Sequence, residues 1–195
     1  NTVDIRAYSA SKHKNTDDYP FGGGSGMLMM AQPIADAIRA SAPGESFHGK
    51  KIYMGPKGKS LNQKMAEELS CEEELLLLCG HYEGVDQRIL DHYIDMEISI
   101  GDYILTGGEP AAMVLTDCIV RLIPGVLGSE ESPKNESFSS GGLLEYPQYT
   151  RPRTFEGYDV PSVLLEGNHR AIEKWRREQS LLATMRLRPD MLLNA

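Results

Sequence analysis

The sequence has few cysteines, no long apolar run and a shortage of basic charge. Its longest hydrophobic stretches, such as Leu75 to Cys79, are far too short to cross a bilayer, and no basic-then-apolar leader suggests secretion. Cys71, Cys79 and Cys118 form no Cys-x-x-Cys pair, which argues against a disulfide framework and a zinc knuckle. Lys and Arg total 20 against 28 Asp and Glu, so a protein that coats phosphates generically is disfavoured. We expect a cytoplasmic protein, and the initial Asn1 suggests that a native beginning is missing.

Composition is otherwise that of a globular chain. The 195 residues are 41% hydrophobic and 25% charged, which suits one compact domain with or without a small appendage. The charge is uneven: residues 1–150 carry net −10, and residues 151–195 carry net +2. This asymmetry indicates an acidic body and a basic appendage that meets a polyanion. The alternative is that the basic residues only form a solvated helix face.

Strand and helix signals alternate along the body. Predicted strands cover 51–54, ending at Gly55-Pro56, then 75–79 and 94–100. Predicted helices cover 60–69, opened by a Ser60-x-x-Gln63 capping box, then 85–92 and 109–123, the last with Met113, Leu115, Cys118, Ile119 and Leu122 at helical spacing. This alternation predicts an α/β body with a mainly parallel sheet. Residues 129–142 are typical of a linker, and 169–186 predict a tail helix.

Glycine-rich segments follow three of the predicted strands. They are Tyr53–Pro56, Gly80–Gly84 and Ser99–Pro110. Because ligands collect at the carboxyl ends of parallel strands, these segments predict a single pocket, and the amides of Ile100 to Leu105 could bind an adenine edge. The alternative is that they are ordinary turns, in which glycine is common.

Two further segments carry weaker phosphate-binding signals. Asp17–Met27 contains four glycines in five positions, but a flexible surface loop explains it equally well. Gly55–Ser60 ends in Gly-Lys-Ser between a strand and a helix, which resembles a nucleotide-binding loop but is too short to enclose a β-phosphate. The five histidines lack metal-ligand spacing, and no Gly-x-Ser-x-Gly is present, so neither a metal site nor a serine hydrolase is expected.

An ordered set of motifs runs through the chain. It comprises DDYPFGGGSGM, YMGPKG, CGHYEGVDQR, ISIGDYILTGGE, RLIPGVLG, ESF, YTRP and LLEGNH. From Asp4 to Leu192 this set resembles the bacterial tRNA (guanine-N1)-methyltransferases, which methylate the guanine just 3′ of the anticodon, position 37. The family begins with a further strand and helix and ends with more helix, so both termini are expected to be incomplete.

The resemblance implies an α/β fold of the SPOUT type, with a trefoil knot toward the carboxyl end of its sheet and a small helical C-terminal domain. It implies a methyltransferase domain over 1–128, a flexible linker over 129–142 and an incomplete helical tRNA-binding domain over 143–195. It also implies S-adenosylmethionine as methyl donor and a homodimer with shared active sites. By residue matching, the cofactor-binding set is Tyr53, Met54, Gly55, Pro56, Gly80, Tyr82, Glu83, Gly84, Ser99, Ile100, Gly101, Asp102, Tyr103, Ile104, Leu105, Gly107 and Gly108.

Two catalytic residues follow from the same matching. Arg121 matches the family's catalytic arginine, and Glu136 stands where the family has the aspartate of an Asp-Ser-Phe motif. A second departure places Ala111 where the family has proline, with Pro110 one position earlier. A carboxylate can take the proton of guanine N1, and a guanidinium can stabilise the charge that builds toward O6. Should Glu136 not act as the base, Glu83 or Asp102 would be tested next.

The basic tail supplies a candidate tRNA interface. Arg170, Lys174 and Arg177 on the predicted tail helix are expected to contact the anticodon stem. Two other functions remain open at this point, a non-catalytic RNA-binding module and a small NTPase that uses Gly58-Lys59-Ser60. Titration with S-adenosylmethionine and with ATP separates all three.

Overall fold

The computed structural model describes residues 1–128, 136–139 and 142–192. The chain divides into two units, Asn1–Val126 and Leu127–Ala195. The strands are β1 Asp17–Asp18, β2 Leu28–Met29, β3 Lys50–Ser60, β4 Leu75–Cys79, β5 Met96–Ser99, β6 Thr154–Phe155 and β7 Tyr158–Asp159. The α-helices are α1 Ala31–Ser41, α2 Gln63–Ser70, α3 Gln87–Tyr93, α4 Glu109–Val120 and α5 His169–Leu187.

A parallel three-stranded sheet organises the first unit. Strand β3 lies in the centre, with β4 on one side and β5 on the other. Both neighbours run parallel to it, and Tyr53 is in register with Leu78 on β4 and with Glu97 on β5. The predicted α/β body with a mainly parallel sheet is therefore confirmed, and β4 has the predicted bounds.

Helices cover both faces of this sheet because side chains along β3 alternate between two cores. Tyr53 faces a cluster with Ile34 and Ile38 of α1 and Ile89 of α3. Its neighbours Ile52 and Met54 face the opposite cluster. The other members of that cluster come from α2, β5 and α4, and they are Leu69, Ile98, Ala111, Leu115 and Ile119. Ile52, Ile98 and Leu115 have no exposed surface, so the sheet is sealed between two apolar layers.

The predicted end of β3 at Gly55-Pro56 is wrong. After a register shift between Met54 and Lys59, the strand pairs with β5 a second time, through Lys59 and Ser60. Gly58 permits this close approach, since a Cβ there would collide with the backbone of Glu97. The Gly-Lys-Ser segment is thus sheet rather than a loop open to phosphates, which removes the structural basis for the NTPase alternative.

The predicted capping box of α2 is also wrong. Ser60 is held in β3 opposite Ser99, and the helix begins two residues later than a Ser60 cap requires. Asn62 caps it instead, accepting a hydrogen bond from the Met65 amide at 2.9 Å. Asparagine fills this position as well as serine does, because its side-chain oxygen reaches the same orphan amide.

The helix predicted over 109–123 is shorter, and its buried stripe differs. It ends at Val120, and Ala111, Leu115 and Ile119 are its buried residues. Met113, placed on the predicted apolar stripe, is 72% exposed because it is offset from that stripe by half a turn. The flanking predictions are shifted in a similar way: α3 starts at Gln87 behind an Asp86 cap, and β5 covers only Met96–Ser99.

The second unit is small and built on α5. The helix is capped by Asn168, whose Oδ1 accepts from the Ala171 amide at 3.2 Å, and its bounds agree with the predicted tail helix. Strands β6 and β7 form a two-stranded hairpin. Most of the predicted linker, 129–135 and 140–141, lies outside the described residues. Across the residues that are described, no helix combines the length and apolarity needed to cross a membrane.

Candidate active site

One cavity of about 220 Å³ opens at the ends of β4 and β5, beside Tyr53–Pro56 in the middle of β3. The three glycine-bearing segments converge on it, as the sequence predicts. Every residue of the predicted cofactor-binding set lines this cavity except Asp102. The cavity brings these residues together, while their role in binding a cofactor stays a prediction.

Four residues that line the cavity were missed from the sequence. They are His81, Ile98, Thr106 and Ala111. His81 and Thr106 lie inside the predicted glycine-bearing segments, so their position between predicted lining residues is a signal that could have identified both. Ile98 and Ala111 reach the cavity because a strand and a helix present their buried sides to it, and no motif marks such positions.

The loop after β4 is joined to the entrance of α4. The Gly108 amide donates to the Gly80 carbonyl at 2.9 Å, and the His81 Nε2 lies 2.7 Å from Glu109 Oε1. A Cβ on Gly108 would lie 2.9 Å from the Cys79 Cα and 3.0 Å from the Gly80 amide nitrogen. Only glycine permits this approach of two backbones, and it closes one wall of the cavity.

The same loop is joined to β2 on its other side. The Glu83 amide donates to the Met27 carbonyl at 3.1 Å, and the Met29 amide donates to the Gly84 carbonyl at 3.0 Å. Gly26 adopts a left-handed φ of +85°, and a Cβ there would lie 2.5 Å from Glu83 Oε1. The glycine-rich segment after β1 therefore makes room for the Glu83 side chain, which lines the cavity.

The loop after β5 forms the third wall. Its first turn is held internally, since the Gly101 amide donates to Ser99 Oγ at 3.2 Å and the Tyr103 amide donates to the Gly101 carbonyl at 3.0 Å. Of the amides from Ile100 to Leu105 that are predicted to face a ligand, those of Gly101 and Tyr103 are therefore already engaged within the loop. Ile104 is 82% exposed beside the cavity, so this wall offers apolar surface.

Burial and hydrogen bonding shift three ionisation equilibria here. Burial, with the nearby Glu97 carboxylate, raises the pKa of Tyr53. Burial, with the charge of Glu109, raises the pKa of the Cys79 thiol to about 11. Desolvation is the largest single influence on Glu109 and opposes its ionisation, but the hydrogen bond from His81, a backbone hydrogen bond and the charge of His81 together lower the Glu109 pKa. The phenol that lines the cavity is thus neutral, while the neutral Cys79 thiol and the ionised Glu109 carboxylate belong to residues next in sequence to the lining residues Gly80 and Gly108.

The two predicted catalytic residues lie in different units. Arg121 is the C-cap of α4 in the first unit. Glu136 begins a turn in the second unit, where the Ser139 amide donates to its carbonyl at 3.2 Å and Ser137 Oγ accepts from the Glu145 amide at 2.9 Å. The segment that carries Glu136 is therefore locally ordered.

The predicted tRNA-binding residues share one exposed face of α5. Arg170, Lys174 and Arg177 recur at helical spacing, and all three are exposed. Lys174 Nζ lies 3.8 Å from Glu178 Oε1, so part of its charge is already paired. Within the described ranges, no group of three or more His, Cys, Asp or Glu residues is arranged to hold a metal ion.

Comparisons with known proteins place this geometry in context. A family model described as tRNA (guanine-1)-methyltransferase TrmD matches residues 1–194. A tRNA (guanine-N(1)-)-methyltransferase of Ruminiclostridium cellulolyticum is 61% identical over 191 residues, which are 98% of this chain and 82% of the relative. Proteins with the same name from Clostridium perfringens and Clostridium botulinum are 60% and 58% identical, covering 97% and 98% of this chain and 79% and 78% of the relatives.

Proposed function

Because the chain belongs to the tRNA (guanine-1)-methyltransferase family, we propose that it methylates N1 of a guanine in tRNA, the guanine 3′ of the anticodon at position 37. The observation that carries this proposal is the cavity at the carboxyl ends of β4 and β5, walled by glycine-bearing segments and by the middle of β3. The family resemblance supplies the substrate, and the cavity supplies a place for a methyl donor.

The residues around the cavity fit S-adenosylmethionine. Ile104 and Leu105 offer apolar surface for an adenine ring, and Glu83 offers a carboxylate for an ammonium group. Gly80 leaves space that a side chain would fill, since a Cβ there would lie 2.8 Å from the Tyr53 hydroxyl. When bound, this cofactor would supply the methyl group from its sulfonium centre, with a neutral thioether as the leaving group.

Glu136 and Arg121 divide the remaining chemistry. Guanine N1 carries a proton at neutral pH and becomes nucleophilic as that proton leaves. The Glu136 carboxylate accepts it, which contributes the 10²- to 10⁴-fold typical of a positioned base, on the order of 3–5 kcal/mol. The Arg121 guanidinium stabilises the negative charge that develops at guanine O6.

We place this chemistry in a homodimer of SPOUT type, with a trefoil knot around the cavity and active sites shared between subunits. The surface of α4 supports a contact with a second copy of the chain, because Met113, Val114 and Val120 leave apolar surface exposed on the helix that Arg121 caps. An Arg121→Ala chain mixed with a Glu136→Ala chain should regain part of the lost activity. Sedimentation that shows only monomer at micromolar concentration would contradict the dimer.

The face of α5 that carries Arg170, Lys174 and Arg177 supports a contact with the tRNA backbone. Replacing all three by alanine should weaken tRNA binding and reduce its dependence on salt by roughly one unit of slope for each lost phosphate contact. Affinity for S-adenosylmethionine should not change. An unchanged salt slope would remove this face from the interface.

Two measurements test the activity itself. Isothermal titration should show binding of S-adenosylmethionine and none of ATP; a non-catalytic RNA-binding module would bind neither. Methylation of a tRNA transcript should yield 1-methylguanosine on nucleoside analysis, and a transcript with adenosine at position 37 should yield none. Binding of ATP, or a methylated base other than 1-methylguanosine, would contradict the proposal.

A further variant tests the base. Glu136→Gln keeps the side-chain shape and removes its basicity, so single-turnover methylation should fall by roughly 10²-fold or more while cofactor binding stays the same. Glu136→Asp, the family's own residue, should be tolerated. Wild-type rates in Glu136→Gln would move the role to Glu83, which lines the cavity, or to Asp102.

A further inference from the structure

A second hollow lies within the C-terminal unit, between the segment that leads into β6 and the residues that follow β7. Tyr149, Arg151 and Arg153 line one side of it, and Val160, Leu164 and Leu165 line the other. Among the residues that the structure describes, no acidic side chain lines it. The hollow therefore combines an apolar floor with a cationic rim.

The two arginines are available to a ligand. Arg151 and Arg153 are exposed, and neither makes an ion pair with any residue that the structure describes. By contrast, Arg188 is held by Asp190 at 2.8 Å, and Lys174 lies beside Glu178. A pair of uncompensated guanidinium groups beside apolar surface favours a phosphate-bearing ligand that also has a flat apolar part.

Aromatic side chains surround the same region. Tyr149 is half exposed, and its ring lies 6.4 Å from that of Trp175 on α5. On the adjacent hairpin, Phe155 is 62% exposed and Tyr158 is 79% exposed. Aromatic rings interleaved with arginine are typical of surfaces on which unstacked bases of single-stranded RNA lie.

We propose that this hollow holds one unstacked nucleotide from a single-stranded loop of the tRNA substrate. The base lies against Leu164, Leu165 and the Tyr149 ring, and the flanking phosphates contact Arg151 and Arg153. The site is separate from the Arg170, Lys174 and Arg177 face of α5. It rests on the proposed function for the identity of the RNA, but its binding chemistry is independent of methyl transfer.

The single tryptophan of the chain provides a direct probe. Because Trp175 packs on Tyr149, a base in the hollow should change its fluorescence, and the full chain can be titrated with a single-stranded RNA nonamer. The nonamer should change the fluorescence at lower concentration than the same sequence in a duplex. Equal responses to both forms would overturn the proposal, since a duplex cannot insert an unstacked base.

Two variants with matched controls locate the contact. Leu165→Glu places a carboxylate in the hollow at a residue that is 45% exposed, and should weaken nonamer binding about 5- to 150-fold, the range of one stacked base. Leu187→Glu makes the same change at an exposed leucine that does not line the hollow, and should bind normally. Equal affinities in the two variants would overturn the proposal.

Charge removal gives a second, independent readout. Arg151→Ala with Arg153→Ala should reduce the salt slope of nonamer binding by about 1.4, since each single-strand phosphate contact contributes roughly 0.7. Lys50→Ala with Lys64→Ala removes the same charge from exposed sites in the first unit and should leave the slope unchanged. An unchanged slope in the arginine variant would overturn the proposal.

These results separate the inference from the proposed function. A wild-type chain that forms 1-methylguanosine in tRNA but shows no difference between Leu165→Glu and Leu187→Glu disproves only the hollow. A wild-type chain that forms no 1-methylguanosine but passes both variant tests disproves only the proposed activity.

Discussion

Replacing Gly108 by alanine should open the cavity wall and weaken cofactor binding. The backbone at Gly108 has φ −79° and ψ −12°, which alanine adopts without strain, so the effect comes from packing alone. The new methyl group would meet the Cys79 Cα at 2.9 Å and the Gly80 amide nitrogen at 3.0 Å. Both are backbone atoms that cannot rotate away, so the start of α4 must move from the end of β4 and strain its hydrogen bond to Gly80.

Overpacking by one methyl group typically costs about 1–3 kcal/mol. The part of this strain that the free protein retains should lower the free energy of unfolding by denaturant. The cofactor needs the wall closed. The part of the strain that the free protein relieves by opening the wall should therefore return when the cofactor binds, and it should appear instead as weaker cofactor binding. At 1.4 kcal/mol per tenfold change, affinity for S-adenosylmethionine in isothermal titration should fall roughly 5- to 150-fold.

Gly128→Ala is the matched control for this experiment. A Cβ at Gly128 meets no atom of the described residues within 4 Å, and its backbone is outside the left-handed region, so stability and affinity should remain at wild-type values. If Gly108→Ala binds the cofactor as tightly as Gly128→Ala does, the contact between the two backbones does not shape the site, and the reasoning fails.

Three other predictions follow from local contacts. Asn62→Ala should lower the free energy of unfolding by about 1 kcal/mol through loss of the α2 cap, whereas Ser60→Ala should have less effect. A larger loss in Ser60→Ala would show that Ser60 caps the helix after all. The pKa of Glu109 is lowered in the folded chain, so its ionised carboxylate stabilises the fold at pH values above the ordinary glutamate pKa, and this contribution is lost as the pH falls. Glu109→Gln should therefore lose less stability than the wild type on acidification. Denaturant titration from pH 6 to 3 measures the difference. In the native chain iodoacetamide should alkylate the exposed Cys71 well before Cys79, whose pKa is about 11, and mass spectrometry showing equal labelling would contradict its burial.

The sequence was sufficient for features that depend on local pattern. The apolar run Leu75–Cys79 predicted β4 with its true bounds, because a strand inside a parallel sheet needs continuous apolar residues. The glycine-bearing strand ends predicted one cavity, because parallel strands bring their carboxyl ends to the same edge. Both signals are contained within a few adjacent residues.

The errors arose where tertiary contacts override local signals. Gly55-Pro56 is a strong local stop, but the second pairing with β5 carries β3 on to Ser60. That pairing also moves the α2 cap to Asn62, since Ser60 is no longer available. Helical spacing groups Met113 with Leu115 and Ile119, but because α4 is apolar on nearly all sides, spacing alone does not distinguish its buried stripe from its exposed one.

The central position of β3 has a consequence during synthesis. Both of its partners come later in the chain, and β5 ends about 40 residues after β3, which at 5–20 residues per second takes roughly 2–8 s. Until β4 is complete at Cys79, Ile52, Tyr53 and Met54 have neither strand neighbour and the apolar strand has two open edges; from then until β5 is complete, one edge stays open. Lys50 and Lys51 before this stretch, with Lys57 and Lys59 after it, place charge on both sides of the unpaired segment. Charge beside an unpaired strand disfavours its pairing with another chain, so we expect these lysines to matter most before the sheet is complete.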